Sequence, residues 1–143
     1  IVDRAIEQGA EVVCGGSRSA DRATGWFYDP TVIKTSHDME VMHGECFGPL
    51  APIARFQTES QAIEMANATP YGLAGYIFAR DPNLLERVSR QLNCGIIGVN
   101  TGVISDAYAP FGGRGWSGFG REGGRWGIEE YISWKYVCAA VNG

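Results

Sequence analysis

The chain has 143 residues, 45% of them hydrophobic, and a formal net charge of −4. This length is typical of one domain with a substantial core. With only two lysines, the chain has no basic stripe for nucleic acid, and no apolar run reaches the roughly 20 residues that span a bilayer. We therefore expect a soluble cytoplasmic protein with no nucleic-acid or membrane partner.

The cysteines predict neither disulfides nor a metal site. They are far apart and form no C-x-x-C pair: Cys14, Cys46, Cys94 and Cys138. A structural zinc site needs clustered ligands, and the nearest His, Glu and Cys side chains, at positions 37 to 46, lack the paired spacing. We expect four thiols in a reducing compartment and no bound metal.

The predicted elements begin with a truncated helix. Residues 3–7 are typical of the last turns of a helix, and the chain starts at Ile1, so we expect a fragment of a longer protein. A short buried strand at 12–14 and a second beginning at 30–33 flank a turn-rich stretch. Residues 49–56 are extended and contain two prolines, which predicts an edge or entry strand.

Helical spacing follows. Thr58 and Gln61 form a capping box for a helix that ends near Asn67, and Asp81 as N-cap with Pro82 at the first position starts another. Strands are predicted at 73–80 and 95–99. The β-α-β-α-β alternation predicts an α/β fold, a largely parallel sheet with helices on its faces. A short helix at 127–132 and a final strand at 133–141 complete the prediction.

The most distinctive segment is a glycine-rich loop at positions 110–124, which carries seven of the chain's 20 glycines. Glycine lets a backbone approach a ligand or another backbone closely. Ligands of parallel sheets usually lie at the carboxyl ends of strands, so the loops after Val99 are the expected place for a site. Two G-x-G-x-x-G matches occur in the loop. No strand directly precedes them, and no second strand with an acidic residue follows about 20 positions on, so we set a dinucleotide-loop interpretation aside.

Several segments co-occur in a specific order: GECFGP at 44–49, NTG at 100–102, PFGG at 110–113, SG at 117–118 and GREGG at 120–124. Together they resemble the aldehyde dehydrogenase family over most of the chain, from about 30 to 137, and the succinate-semialdehyde branch in particular. The resemblance implies that residues 1–132 are the distal part of the catalytic domain. It also implies that residues 133–143 are a C-terminal oligomerisation strand, with dimers or tetramers as the assembly.

The resemblance implies an oxidoreductase that converts a small aldehyde to an acid with NAD or NADP. It assigns Glu45 and Phe47 to cofactor binding at the nicotinamide ribose, and Ser105 to the acid end of the substrate. A carboxylate can accept from two ribose hydroxyls, and a ring can pack on a pyridine face. Without the resemblance, a solvated Glu, a core Phe and an ordinary loop Ser are the better interpretations.

No catalytic residue is assigned within the chain. The family's nucleophilic Cys and general-base Glu belong to segments upstream of the E-x-F-G-P motif, so we expect the 143 residues alone to be inactive. The chain departs from the family at Gly44, where a second Glu is common, and at 114–116, where Arg-Gly-Trp replaces a lysine-containing trio. The alternatives are a non-catalytic binding or assembly module derived from this fold, or another semialdehyde dehydrogenase.

Overall fold

The structure is a computed structural model that describes residues 1–22 and 24–141. It divides the chain into two compact units, Ile1–Met65 and a second unit that begins at Ala66. Within the described ranges, no helix has the length and apolar character of a membrane span.

The first unit is built around a three-stranded sheet. Helix α1 (Val2–Glu7) precedes β1 (Glu11–Cys14), β2 (Thr31–Thr35) and β3 (Leu50–Ala54). The central strand, β2, pairs antiparallel with β1 and parallel with β3. Its β-branched residues alternate, so that Thr31 and Ile33 are buried, and Ile33 is 0% exposed at the centre of a core with Ala5, Ala10 and Val41.

Helix α2 (Glu59–Asn67) begins at the predicted capping box. The Gln61 backbone N–H donates to Thr58 Oγ1 at 3.1 Å, as the motif requires. The Gln61 side chain reaches one residue further back than expected, accepting from the Gln57 N–H at 2.6 Å. Both interactions satisfy backbone N–H groups at or just before the helix start, which is why this boundary is readable from sequence.

The second unit contains one β-α-β element. Strand β4 (Ala74–Ile77) is followed by α3 (Pro82–Gln91) and by β5 (Ile96–Val99), which pairs parallel with β4. Asp81 caps α3 by accepting from the Asn83 N–H at 2.9 Å, with Pro82 as the first helical residue. Two 3-10 helices follow, at Gly115–Ser117 and Gly124–Tyr131. The second begins three residues before the helix predicted at 127–132 and ends one residue before its predicted end.

A single largely parallel sheet is not confirmed. Two of the three strand pairings given for the described residues are parallel, but β3 pairs with β2, and β4 and β5 form a separate two-stranded sheet. The local alternation of strand and helix reveals element type, whereas the choice of pairing partner depends on contacts distant in sequence. Strand β1 is also exposed along its length instead of buried.

The C-terminal strand is likewise not observed in the described chain. Residues 133–141 contain neither helix nor strand there, and all of their side chains are exposed. A strand needs a hydrogen-bonded neighbour, and the single chain provides none for this segment among the described residues. The last two positions, 142 and 143, lie outside those residues.

Candidate functional site

The segment at 44–49 lies in the first unit and is anchored at both ends. On its amino side, Val41 is buried in the core, and the His43 N–H donates to Glu40 O at 3.0 Å. On its carboxyl side, Pro49 O accepts from the Thr31 N–H at 2.8 Å, immediately before β3. The residues between these anchors are therefore held at a defined place although they form no helix or strand.

Most of this segment is exposed. Cys46 is half-buried, whereas Glu45 is exposed and the ring of Phe47 is 95% exposed. The side chains of Glu45 and Phe47 are thus both open to solvent, and the Glu45 carboxylate makes no hydrogen bond or ion pair with a described residue.

A cavity and an ion pair lie next to this segment. A cavity of about 280 Å³ lies beside it and is lined by Arg4, Val41, Glu45 and Cys46 among others. Arg4 is engaged by Glu40, with Nε 3.3 Å from a carboxylate oxygen. Because Arg4 pairs with Glu40, the Glu45 carboxylate that lines the cavity has no cationic partner there among the described residues and can accept hydrogen bonds from a ligand.

In the second unit, Asn100 marks the carboxyl ends of β4 and β5. Its backbone has a φ of +53°, and its N–H donates to Ile77 O at 2.8 Å. Its side-chain amide makes two bonds to Ala79, donating to the carbonyl at 3.0 Å and accepting from the N–H at 3.0 Å. Strand β5 ends here, and the chain turns away.

Ser105 lies five residues beyond this turn. Thr101 Oγ1 bonds the backbone N–H and carbonyl of Val103, each at 3.2 Å. The half-buried Ile104 packs close to β5, since a Cβ added to Gly98 would lie 3.0 Å from its Cγ2. Ser105 itself is exposed, and its hydroxyl bonds no described residue.

The glycine-rich loop folds on itself through backbone and side-chain hydrogen bonds. Phe111 and Glu122 pair as an isolated antiparallel bridge through two backbone bonds of 2.8 and 2.7 Å. Arg121 Nη1 donates to the carbonyls of Gly113 at 2.9 Å and Gly120 at 2.6 Å. These bonds close the loop from within.

The loop also rests on two glycines outside it, Gly72 and Gly95. Gly72 O accepts from the N–H groups of Gly95 at 2.9 Å and Arg114 at 3.0 Å, and Ser117 Oγ accepts from the Gly72 N–H at 3.0 Å. A Cβ on Gly95 would overlap the carbonyl oxygen of Gly112. Glycine suits positions 72 and 95 because the backbone of the loop packs directly against the backbone there.

This geometry corrects the expected position of the loop. Gly72 and Gly95 precede β4 and β5, so residues 110–124 return to the amino ends of these strands, whereas Asn100 lies at their carboxyl ends. Several loop N–H groups are bonded to protein carbonyls and are not available to cradle a phosphate.

The four cysteines differ in their exposure to solvent. Cys14 and Cys138 are exposed, and Cys46 and Cys94 are half-buried. Burial raises the pKa of the Cys94 thiol, although the Arg114 guanidinium opposes the shift. A nucleophilic Cys needs a lowered pKa, so Cys94 has the wrong environment. Within residues 1–22 and 24–141, no cluster of three metal-ligating side chains occurs.

Comparison with known proteins agrees with the resemblance in the motifs. The sequence profile of the aldehyde dehydrogenase family matches residues 1–137. The chain belongs to the aldehyde dehydrogenase family. It is 49% identical to the 3-sulfolactaldehyde dehydrogenase of Pseudomonas putida and 48% identical to the NADP(+) succinate-semialdehyde dehydrogenase GabD of Escherichia coli, in each case over 96% of this chain and 28% of the relative.

Solved aldehyde dehydrogenase structures share the fold. Succinate-semialdehyde dehydrogenase from Burkholderia pseudomallei superposes with a TM-score of 0.90 at 44% identity, covering 98% of this chain and 29% of that one. An aldehyde dehydrogenase from Mycobacterium tuberculosis complexed with NAD+ gives 0.86 at 38% identity, covering 91% and 27%. The chain therefore spans less than a third of the length of these relatives.

The predicted site residues are divided between the two units of this family fragment. Glu45 and Phe47 belong to the first, and Ser105 belongs to the second. Sequence reasoning identified Asn100 only as part of a motif and missed its bonds to Ala79. The available signal was an Asn directly after an apolar strand, because Asn tolerates positive φ better than most residues.

Proposed function

We propose that the chain is the C-terminal portion of an NAD(P)+-dependent aldehyde dehydrogenase that oxidises succinate semialdehyde to the dicarboxylic acid. The observation that carries the proposal is Ser105, an exposed, uncommitted hydroxyl at the predicted substrate-binding position of a chain 48% identical to a succinate-semialdehyde dehydrogenase. On this proposal, residues 1–132 belong to the catalytic domain and 133–143 to assembly.

The cofactor proposal rests on Glu45 and Phe47. An exposed carboxylate with no partner among the described residues suits two vicinal ribose hydroxyls, and a 95% exposed ring suits a flat nicotinamide face. When bound, the dinucleotide accepts hydride from the substrate. The two residues would orient the nicotinamide ribose. Relatives named with NADP+ and with NAD+ both occur, so the proposal covers either cofactor.

The substrate proposal gives Ser105 one task, to donate its hydroxyl proton in a hydrogen bond to the substrate carboxylate. A hydrogen bond to a charged group contributes about 1.5–3 kcal/mol. Ser105→Ala in the full-length protein should therefore raise the KM for succinate semialdehyde by roughly tenfold or more, with little change for butanal, which lacks the carboxylate. Steady-state kinetics with both aldehydes measures this difference.

Ser89→Ala is the matched control. Ser89 lies on α3 and donates to Glu86 O at 2.9 Å, so its loss also removes one hydroxyl but leaves the loop after β5 intact. We expect both KM values to stay close to those of the unmodified enzyme. An equal rise of both KM values in Ser105→Ala would contradict the carboxylate contact.

A second substrate is favoured by one observation. The 49% identical relative from Pseudomonas putida is named for 3-sulfolactaldehyde, an aldehyde that carries a sulfonate. Sulfonate and carboxylate oxygens both accept from a Ser hydroxyl, so the serine alone does not separate them. The ratio of kcat/KM for the two aldehydes in the same enzyme decides between the two substrates.

The proposal also places the nucleophilic Cys and the general-base Glu outside these residues, and the assembly surface at 133–141. That segment exposes Trp134 at 93% and Tyr136 at 88%, and a partner strand would cover such rings. The purified 143-residue chain should sediment as a dimer or larger and show no turnover. Sedimentation as a monomer would contradict the proposed assembly through residues 133–141. Turnover of an aldehyde would contradict the proposal that the nucleophilic Cys lies outside these residues.

One alternative, a non-catalytic module of the same fold, predicts that the full-length protein also lacks turnover. Cofactor titration of the full-length protein separates it from an enzyme, because a module that serves assembly alone would not bind NAD(P)+. The cytoplasmic location expected from composition stays a prediction, which cell fractionation checks.

A further inference from the structure

Asn100 combines two properties that its neighbours lack. It is the one non-glycine residue with positive φ among the described residues, and its side chain bonds both backbone groups of Ala79. In a parallel sheet, the next ladder bonds after Ile77 would come from the backbone of β5. Here the side-chain amide of Asn100 makes these two bonds to Ala79 in place of a peptide group, while the main chain after β5 turns out of the sheet.

The chemistry of the side chain explains why the residue is Asn. Asn reaches the left-handed region at lower cost than most residues, and its amide carries both a donor and an acceptor. Asp would keep the acceptor for the Ala79 N–H but would set a carboxylate oxygen against the Ala79 carbonyl. Gly would keep the backbone conformation and lose both bonds.

The stretch from Asn100 to Ser105 has few other attachments. Four of its first five residues are exposed, and Ile104 is half-buried. The Thr101 turn is local to Val103. The direction in which the loop leaves the sheet is thus fixed by the Ala79 bonds at one end and by Ile104 near Gly98 at the other.

We propose that Asn100 is a positioning residue for Ser105: its two bonds to Ala79 set the place of the serine hydroxyl and thereby the affinity for an aldehyde with an anionic end. The inference rests on the proposed function of Ser105. Asn100 itself does not touch substrate. A small displacement of a binding group strongly lowers the affinity for the substrate. Loss of the Asn100–Ala79 bonds should therefore reproduce part of the effect of removing the Ser105 hydroxyl.

The test uses Asn100→Gly, Asn100→Asp, Ser105→Ala and the Asn100→Gly/Ser105→Ala double variant in the full-length enzyme. We expect Asn100→Gly to raise the KM for succinate semialdehyde about tenfold, with the KM for butanal and kcat changed less than about twofold. Asn100→Asp, which retains one of the two bonds, should restore part of the affinity. The double variant should be no worse than Ser105→Ala, because a displaced serine and a missing one lose the same contact.

Asn67→Gly provides a matched control. Asn67 makes the same kind of tether, donating to Gln91 O at 2.9 Å and accepting from the Asn93 N–H at 2.7 Å, but it joins the end of α2 to the last turn of α3 and the residues just after it. It should lower Tm as Asn100→Gly does, without separating the two aldehydes.

The outcomes separate this inference from the function on which it rests. If Ser105→Ala discriminates between the aldehydes and Asn100→Gly affects both equally, Asn100 is only structural and the inference is wrong while the function stands. Additive effects in the double variant would lead to the same conclusion. If Ser105→Ala fails to discriminate, the substrate contact and the positioning role both fail.

Discussion

The glycine-rich loop at 110–124 and the segment at 44–49 each carry a recognisable motif, but they use it in opposite ways. In the loop, several N–H groups and the Arg121 side chain donate to carbonyls of the chain itself, as in the Phe111–Glu122 pair. The segment is anchored only at its ends and leaves Glu45 and Phe47 exposed.

The difference shows which kind of motif indicates ligand contact. Glycine density predicts close approach, but not whether the approaching group is a ligand or the protein itself. The rings of Phe47, at 95%, and of Phe119 in the loop, at 102%, are both exposed, so exposure alone does not separate the two motifs. The sparse E-x-F motif is the stronger indication of a cofactor because it also carries the carboxylate of Glu45, unpartnered among the described residues, whereas several N–H groups of the dense glycine motif are bonded to protein carbonyls.

The largest effect that tests this comparison is expected from Gly95→Ala. A Cβ at this position would overlap Gly112 O and lie 3.0 Å from Gly113 Cα, both of them backbone atoms that no rotamer change can move. We expect the free energy of unfolding to fall by about 3 kcal/mol, at the upper end of overpacking effects. Urea denaturation of the full-length protein, followed by tryptophan fluorescence, measures the change.

Gly102→Ala is the control for that measurement. A Cβ on Gly102 would meet no atom within 4 Å, and no positive φ is required there. We expect its unfolding free energy to change by less than about 0.5 kcal/mol, as for most surface substitutions. Equal destabilisation by the two substitutions would show that the loop is not seated on Gly95.

Sequence reasoning succeeded where the physics is local. The starts of α2 and α3 follow from Thr58 and Asp81, whose side chains accept hydrogen bonds from N–H groups two or three residues ahead. The edge or entry strand predicted at 49–56 contains β3, which lies at the edge of its sheet, because proline has no backbone N–H to donate to a central ladder. Each of these signals lies within a few positions of the structure it predicts.

It failed where distant residues decide. The sequence around β3 does not indicate that β3 pairs with β2. The sequence around Gly112 does not indicate that its backbone packs against Gly95. The return of the glycine-rich loop to the amino ends of β4 and β5 is a choice of this kind. For the site, the motifs supplied Glu45, Phe47 and Ser105 as candidates. An Asn directly after an apolar strand marks Asn100, but it does not indicate that the side chain bonds Ala79, 21 positions away.

A smaller effect, on binding and not on folding, is expected from Phe47→Ala. The ring makes little contact with its own unit, so the free energy of unfolding should change by less than about 0.5 kcal/mol. Stacking on a nicotinamide contributes about 0.5–1.5 kcal/mol, so the Kd for NAD(P)+ should rise up to about tenfold. Cofactor titration by fluorescence and urea denaturation of the same variant measure both quantities.

Phe119→Ala makes the control sharper, because its ring is 102% exposed but belongs to the glycine-rich loop. Exposure alone would predict equal effects of the two substitutions on cofactor affinity. We expect only Phe47→Ala to weaken cofactor binding, because its segment also exposes a carboxylate acceptor, Glu45. A loss of affinity in Phe119→Ala as large as that in Phe47→Ala would instead place the cofactor against the loop, and the loop's glycines would then serve ligand approach after all.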